Sequence, residues 1–316
     1  MLAYLDDNFA NHRTGSHPEC PARIELVNQR LREQEALTRC EQVSWPNASL
    51  EQIGRNHSEN YIANLEHWCE TEAGRIEADT VVCGDSWQTT LRTSGAACDA
   101  VKRILAGEHK TAFCALRPPG HHATPDGAMG FCLFNTVAVA AYEALAIGAE
   151  RVMIVDWDVH HGNGTQDSFY EHGRVGFYSI HRSPFYPGTG AKNETGSGGG
   201  LGCIINSPVS ADIPKQKFYD EFLRGTEDLA SKIQPELILL SAGFDAHVND
   251  PVGGLCLEEE DFGELTKLIC QLADSHCDGK LVSLLEGGYH LEHLPNCVAE
   301  HFNELEAHER AAKKDA

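Results

Sequence analysis

The segment that decides the fold is an apolar run followed at once by a cluster of ionisable side chains. It reads Arg151-Val152-Met153-Ile154-Val155-Asp156-Trp157-Asp158-Val159-His160-His161-Gly162. The run over 151–155 is rich in β-branched residues and is closed by a polar, Gly-containing segment, which predicts a buried strand. A strand that is buried on both faces is typical of a parallel sheet covered by helices.

The same pattern recurs in four other places along the chain. Apolar runs that end in polar residues cover Thr111–Leu116, Val175–Ile180, Glu236–Leu240 and Lys280–Leu285. Helix-like stretches lie between them at about 132–147, 214–233 and 258–278. We expect Asp212 to open the second helix, with Pro214 just inside it.

Strands that alternate with helices predict an α/β fold with a central parallel β-sheet flanked by helices on both faces. No linker, charge block or internal repeat divides the chain, so we expect one domain over residues 1–316. In such sheets ligands bind beyond the carboxyl ends of the strands. The polar clusters should therefore meet at one edge of the sheet.

Composition excludes several classes of protein. The 316 residues include 47 Asp+Glu and 25 Lys+Arg, a formal net charge of −22, which disfavours nucleic acid as a partner because phosphates are bound through clustered basic residues. The 12 cysteines are scattered without a C-x-x-C pair, which argues against thiolate zinc knuckles and a disulfide framework. Asp6 and Asp7 stand where a signal peptide would carry basic residues, so we expect the protein to be located in the reducing cytoplasm.

Two segments allow an alternative interpretation. Phe131–Ala149 is apolar over a length that could cross a bilayer, but Asn135, Thr136 and Glu143 interrupt it, and we expect a buried helix and no membrane partner. The Gly-rich Thr195–Gly202 lacks the P-loop motif, and we expect a flexible surface loop rather than a phosphate cradle.

Three residues after two of the strands could share one metal ion. Asp158 and His160 are two apart in extended chain, so their side chains point to the same face. Asp245 follows another strand and supplies a second carboxylate. One imidazole and two carboxylates leave room for water, and an open three-ligand set is how catalytic zinc is held. The cluster therefore predicts a catalytic metal centre.

Two further motifs could act on a substrate at that centre. His121 and His122 follow a strand and can face the attacking water as a general-base and electrostatic pair. Tyr289 follows Gly287-Gly288, and its phenol could donate a hydrogen bond to an oxyanion opposite the metal.

Taken in order, these motifs resemble the histone deacetylase family, and more closely its class II and bacterial deacetylase-like branch. The segments that carry the resemblance are His17–Arg23, Arg117–Ala123, Gly130–Cys132, Asp156–Gln166, Tyr186–Gly190, Ser241–Asp245 and Glu286–Tyr289. The resemblance implies a single arginase-like α/β domain. The compact length also suggests a bacterial protein.

The resemblance assigns roles at the metal centre. It implies one zinc ion bound by Asp158, His160 and Asp245, with Tyr289 as the oxyanion donor. It also implies a structural potassium ion, held largely by backbone carbonyls together with one hydroxyl. The implied potassium residues are Asp156, Asp158, His160, Ser179 and Ile180, with Ser179 giving the hydroxyl.

The resemblance also separates the roles of the two histidines. His122 is implied as the principal general base and acid, and His121 as the neighbour that orients water and stabilises charge. Asp156 and Asn163 are the implied partners of His121 and His122, respectively, and such partners set the tautomer and basicity of an imidazole. Class I relatives tend to carry Asp where this chain has Asn163.

A tunnel for an acyl-lysine side chain is implied as well, with Phe131 and Tyr186 as its aromatic walls. The implied substrate-binding residues are Gly130, Phe131, Tyr186, Ser86 and Val252. Arg23 is implied to line an internal cavity through which acetate leaves.

We therefore predict a zinc-dependent amide hydrolase that removes acetyl or a related acyl group from N-acyl-lysine in proteins or peptides. An acetylpolyamine amidohydrolase, acting on a small acylated amine, is the first alternative. Val252 argues against it because a polyamine-selective relative carries Glu there, although Asp85 could supply the acid. A non-catalytic acyl-lysine-binding module is the second alternative, and the presence of Tyr289 and the histidine pair argues against it.

Overall fold

An eight-stranded sheet forms the centre of the molecule, in a computed structural model that describes residues 1–315. The strands in chain order are β1 (Leu2–Tyr4), β2 (Glu41–Gln42), β3 (Gly74–Arg75), β4 (Val81–Val82), β5 (Thr111–Cys114), β6 (Val152–Asp156), β7 (Val175–Arg182), β8 (Ile204–Val209), β9 (Leu237–Ala242) and β10 (Leu281–Leu285). Strands β3 and β4 form a separate antiparallel hairpin.

Every neighbouring pair in the large sheet is parallel, in the order β2-β1-β5-β10-β9-β6-β7-β8. The five strands predicted from sequence are β5, β6, β7, β9 and β10, and they are the five consecutive strands at the middle of this sheet. Sequence analysis missed β1, β2 and β8 at the edges. Strands β1 and β2 are only three and two residues long, and β8 contains Pro208, a residue that sheets tolerate at an edge.

Helices cover both faces of the sheet. They are α1 (Pro21–Arg32), α2 (Leu50–Gly54), α3 (Glu59–Glu70), α4 (Ser86–Leu105), α5 (Thr136–Ala146), α6 (Asn163–Phe169), α7 (Lys215–Ile233), α8 (Glu259–Cys277) and α9 (His293–Asp315). Helices α4 and α5 pack against each other and on the central strands, whereas α7, α8, α9 and α1 follow one another in a second layer. The predicted α/β architecture is confirmed.

Helices α5, α7 and α8 match the three predicted helical stretches, with one correction at the start of α7. Pro214 is the N-cap residue rather than the first helical residue, and no side chain caps the helix there. Its extended backbone ends the preceding loop, so the expectation that Asp212 opens the helix is wrong.

The apolar segment over 131–149 contains the helix α5, and most of that helix is buried, as predicted. Asn135 caps α5 by accepting a hydrogen bond from the amide of Ala138. Glu143 is buried and forms ion pairs with Arg55 and Lys102. No helix within the described part of the chain has the length and apolar character to cross a bilayer.

The Gly-rich segment lies at the surface, but packing rather than flexibility accounts for its glycines. Gly196 has φ +88°, and a Cβ there would lie 2.1 Å from the carbonyl oxygen of Gly200. A Cβ on Gly200 would lie 2.6 Å from the carbonyl oxygen of Tyr170, which also accepts a hydrogen bond from the amide of Ser197. The expectation of a flexible loop is therefore corrected to a loop packed closely against the end of α6.

The cysteines contribute to packing and form no cross-links. All 12 are free, and eight of them are buried. This agrees with the scattered spacing seen in the sequence, since a buried thiol behaves as a small apolar side chain.

Candidate active site

The polar segments converge at the carboxyl ends of four neighbouring strands, β5, β10, β9 and β6. His121 and His122 follow β5, and Tyr289 follows β10. Asp245 follows β9, and Asp158 and His160 follow β6. Because parallel strands end at the same edge, residues far apart in sequence form one site there.

Asp158, His160 and Asp245 form a compact, buried ligand set. Nδ1 of His160 lies 3.0 Å from Oδ1 of Asp158 and 3.0 Å from Oδ2 of Asp245. The three potential ligand atoms all lie within 4.8 Å of one another. This is the arrangement that the sequence predicted for one metal ion.

The surroundings of this ligand set fit a cation. The amide of Gly287 donates a hydrogen bond to Oδ2 of Asp158 at 2.9 Å. The amide of Val159 donates to Oδ1 of Asp245, also at 2.9 Å. A Cβ on Gly287 would lie 2.3 Å from Oδ2 of Asp245, so the missing side chain leaves space for the carboxylates. Burial and the neighbouring Asp158 raise the pKa of Asp245 to about 7. A bound divalent cation would keep both acids ionised, and the nitrogen and oxygen donors suit zinc.

The two adjacent histidines differ in their hydrogen-bond partners. Nδ1 of His122 donates to Oδ1 of Asn163 at 2.7 Å, which leaves Nε2 free to accept a proton. Nδ1 of His121 lies 2.9 Å from Oδ2 of Asp156. The partners are those that the sequence prediction named.

The electrostatic surroundings of the two imidazoles are opposite. Burial and the neighbouring imidazoles of His121 and His160 hold the pKa of His122 well below its usual value. Burial would lower the pKa of His121 too, but the carboxylates of Asp156 and Asp158 raise it well above its usual value. The geometry therefore favours a charged His121 beside a neutral His122.

Glu286 supports the loop that carries the histidine pair, a role that sequence analysis did not assign. Its Oε2 accepts hydrogen bonds from the amides of Gly120 at 2.6 Å and His121 at 3.1 Å. Burial raises the pKa of Glu286 to about 7. Its position directly after an apolar run was the available signal, but its partners, 166 and 165 residues away, were not visible in the sequence.

A cavity of about 220 Å³ leads from the surface to this site. The residues that line it are Asp79, His122, Gly130, Phe131, His160, Phe185, Tyr186, Val252 and Tyr289. The rings of Phe131 and Tyr289 meet edge to face at 5.6 Å, and Tyr186 meets His122 in the same way at 5.1 Å. Of the predicted substrate-binding residues, Gly130, Phe131, Tyr186 and Val252 lie in the wall.

Two wall residues were missed by sequence analysis. Phe185 stacks on the ring of His160 with centroids 5.1 Å apart, and only its neighbour Tyr186 had been selected. Asp79 reaches the wall from the β3–β4 hairpin, beside Thr80, whose hydroxyl accepts a hydrogen bond from the amide of Phe131. No motif links that hairpin to the site.

Ser86 does not line the cavity, which corrects its prediction as a substrate-binding residue. It opens α4, where its side chain is fully buried and its hydroxyl lies 2.7 Å from Nδ1 of His12. Asp85 is also elsewhere, on an exposed surface where it pairs with Arg13 at 3.0 Å. The carboxylate that lines the cavity together with Val252 is therefore that of Asp79 rather than that of Asp85.

Tyr289 is held from two sides. Oδ2 of Asp250 accepts a hydrogen bond from its amide at 2.7 Å. The guanidinium of Arg23 lies 4.7 Å from the centre of its ring and donates to the carbonyl oxygen of Gly288 at 2.5 Å. Arg23 is buried and paired with Glu19 at 3.1 Å, so it positions the tyrosine loop rather than facing solvent.

The residues predicted to bind potassium lie at the ends of two adjacent strands. Asp156 of β6 is in register with Ser179 of β7, and both side chains are fully buried. The Ser179 hydroxyl lies 2.9 Å from Nδ1 of His181. The structure thus places the five residues on and after two neighbouring strands, and potassium binding by them stays a prediction.

The fold and the site together define an α/β protein with a buried carboxylate–imidazole cluster beside a cavity that has aromatic walls. The family model described as "Histone deacetylase domain" matches residues 17–305. The chain belongs to the histone deacetylase family.

Relatives and a solved structure agree with that assignment. The chain is 36% identical to "Histone deacetylase 14, chloroplastic" of Arabidopsis thaliana, over 96% of this chain and 76% of the relative. It is 36% identical to a "Probable deacetylase" of Archaeoglobus fulgidus, over 92% and 81% of the two chains. The crystal structure of the HDA15 HD domain superposes with a TM-score of 0.92 at 32% identity, over 99% of this chain and 93% of that chain. The chain is thus a deacetylase-family hydrolase.

Proposed function

We propose that this protein is a zinc-dependent amide hydrolase that removes acetyl or a related acyl group from lysine side chains of proteins or peptides. The observation that carries the proposal is the narrow cavity, walled by Phe131 and Tyr186, that ends at His122, His160 and Tyr289. Aromatic walls suit the apolar stem of an acylated lysine, and His122, His160 and Tyr289 supply polar groups that could contact its amide.

In this proposal Asp158, His160 and Asp245 hold the zinc ion. When bound there, zinc supplies a Lewis acid that polarises the acyl carbonyl and makes water more acidic. Potassium, held by the residues at the ends of β6 and β7, is proposed as a structural ion only.

The side chains supply the proton transfers and hydrogen bonds. Nε2 of His122 takes a proton from the attacking water, since its Nδ1 is committed to Asn163. The charged His121, with Asp156 behind it, stabilises the negative charge that develops. The Tyr289 hydroxyl donates to the oxyanion, and His122 then returns its proton to the leaving amine.

An acetylpolyamine amidohydrolase is a second candidate, and one observation favours it. Asp79 lines the same cavity as Val252 and provides the carboxylate that could attract a distal ammonium group. The same carboxylate could instead accept hydrogen bonds from a peptide backbone. The two substrates therefore require a direct comparison.

The test is a comparison of kcat/KM on an acetyl-lysine peptide, a trifluoroacetyl-lysine peptide and acetylputrescine, with Asp79→Asn and Val252→Glu beside the native chain. We expect the native chain to prefer a peptide, and Val252→Glu to shift the ratio toward the polyamine by about tenfold. A native preference for acetylputrescine that Asp79→Asn abolishes would establish the second candidate instead.

Metal dependence is tested separately. We expect chelation to abolish turnover and Zn²⁺ to restore it, and Tyr289→Phe to lower kcat rather than raise KM alone. Full turnover by metal-free protein would contradict the proposal. A cytoplasmic location, a bacterial origin and the absence of nucleic-acid partners stay predictions.

A further inference from the structure

A second cluster of potential metal ligands lies outside the tunnel. His247, Glu259 and His293 offer ligand atoms that all lie within 4.8 Å of one another. Among the described residues, they and the Asp158–His160–Asp245 set are the two clusters with this property. His247 belongs to the loop after β9, whereas Glu259 and His293 open α8 and α9.

The contacts within the second cluster resemble those of the first. Nδ1 of His293 lies 2.8 Å from Oε1 of Glu259, comparable to the 3.0 Å contacts of His160 with its two carboxylates. The rings of His247 and His293 stack at 4.3 Å with an interplanar angle of 25°. Glu259 thus accepts a hydrogen bond from one imidazole, His293, and a ligand atom of the second imidazole, His247, lies within 4.8 Å of both.

The cluster is partly enclosed and partly open. His247 is 4% exposed, whereas the side chains of Glu259 and His293 are 33% and 26% exposed. Asn296 donates to Oε1 of Glu259 at 3.1 Å and so orients the carboxylate from outside. A metal ion could therefore enter from solvent and keep an open position for water.

We propose that His247, Glu259 and His293 form a second binding site for a zinc-class divalent ion, separate from the site in the tunnel. Two imidazoles and one carboxylate are a ligand set that zinc accepts. Ligands about 2.1 Å from a tetrahedral ion lie about 3.4 Å apart, so closing the cluster takes only small side-chain movements. The amide of Asn249, 3.2 Å from Nδ1 of His247, makes a hydrogen bond with which metal binding would compete.

The site would tie three elements together next to the active-site loop. The same loop that carries His247 also carries Asp250, which binds the amide of Tyr289. A metal ion at the second site therefore fixes this loop to α8 and α9, and it should stabilise the fold because it binds the folded state alone.

The test is the number of zinc ions bound per chain, measured by elemental analysis after equilibration in a zinc buffer. Native protein should bind one more ion than His293→Asn or Glu259→Gln. His276→Asn is the matched control, since His276 also pairs with one glutamate, Glu227 at 3.1 Å, but belongs to neither cluster. Zinc should also raise the melting temperature of native protein more than that of either variant.

The expected difference of one ion does not depend on whether the tunnel site is loaded, so this test is independent of the proposed function. Equal zinc content in native protein and in the folded variants would overturn the proposal. Loss of an ion from His276→Asn as well would show nonspecific binding to surface histidines and would overturn it too.

Discussion

Two adjacent histidines at the end of the tunnel have partners that favour different protonation states. An aspartate behind His121 favours the imidazolium, whereas the amide oxygen of Asn163 behind His122 adds no net charge. Once His121 is charged, it disfavours a second charge on its neighbour. One residue is thereby prepared to hold charge and the other to accept a proton.

We therefore expect unequal losses when each histidine is removed. His122→Ala should lower kcat by about 100-fold or more, the lower end of what general acid–base catalysis contributes. His121→Ala should be impaired to a smaller extent. Steady-state kinetics on both variants, with circular dichroism to confirm folding, measures the difference, and near-native rates in both would refute the assignment.

Gly130 should be required for the position of His122. Its φ is +56°, and a Cβ there would lie 2.4 Å from Cδ2 of the His122 ring. Gly130→Ala should push the ring from its place and lower kcat about tenfold or more, because misplacement of reacting groups by about 1 Å is costly.

Gly127→Ala is the matched control for that variant. A Cβ at Gly127 would meet only the hydroxyl of Thr124, at an ordinary 3.6 Å. Its kcat should stay near the native value, and an equal loss in both variants would mean that the loop as a whole is sensitive.

At the level of elements, the helix α5 shows how a charge can be accommodated beneath a sheet. Its residues from Thr136 to Ala141 are buried, and Glu143 on the same helix is 3% exposed. This carboxylate pairs with Lys102 of α4 and with Arg55, the C-cap residue of α2, so it links α5 to both helices.

Glu143→Gln should destabilise the fold by about 2 kcal/mol at neutral pH, the usual range for a hydrogen-bonded charge. Burial alone would raise the pKa of Glu143, but Gln52, Lys102 and Arg55 lower it below its usual value. A lowered pKa gives stability that is present above the unfolded value of about 4.3 and is lost as pH falls. In urea unfolding, the free energy of unfolding of Glu143→Gln should therefore be well below that of native protein at pH 7, and the difference should be smaller near pH 3.

Glu150→Gln provides the comparison for an exposed pair. Glu150 contacts Arg151 at 3.0 Å on the surface, and such pairs contribute about 0–1 kcal/mol. An equal loss of unfolding free energy in Glu143→Gln and Glu150→Gln would show that burial of the Glu143 ion pairs does not increase their contribution to stability.

For the whole molecule, the net charge of −22 should attract basic substrates. We expect kcat/KM for an acetylated peptide rich in Lys and Arg to fall about threefold or more between about 0.05 and 0.5 M salt, because screening shortens the reach of the field. A neutral acetylated peptide of the same length should change little. Equal salt dependence for both peptides would contradict electrostatic steering.

The sequence alone determined the centre of this fold and the placement of ionisable residues at the ends of its strands. Buried parallel strands are continuous apolar runs in the sequence. Because the strands all run in the same direction, the residues that follow them lie at one edge of the sheet. Both signals are local, so β5, β6, β7, β9 and β10 and the residues that follow them were predictable. The short edge strands carry too few residues to give such a signal.

Only the tertiary structure decided which distant residues join the site. Asp79 reaches the tunnel wall through a hairpin, and Ser86, a few positions later, turns into the core instead. His247, Glu259 and His293 come together from a loop and two helix starts. Such contacts depend on how whole elements pack, and no periodicity or motif within a short window encodes the distance between elements that are tens of residues apart.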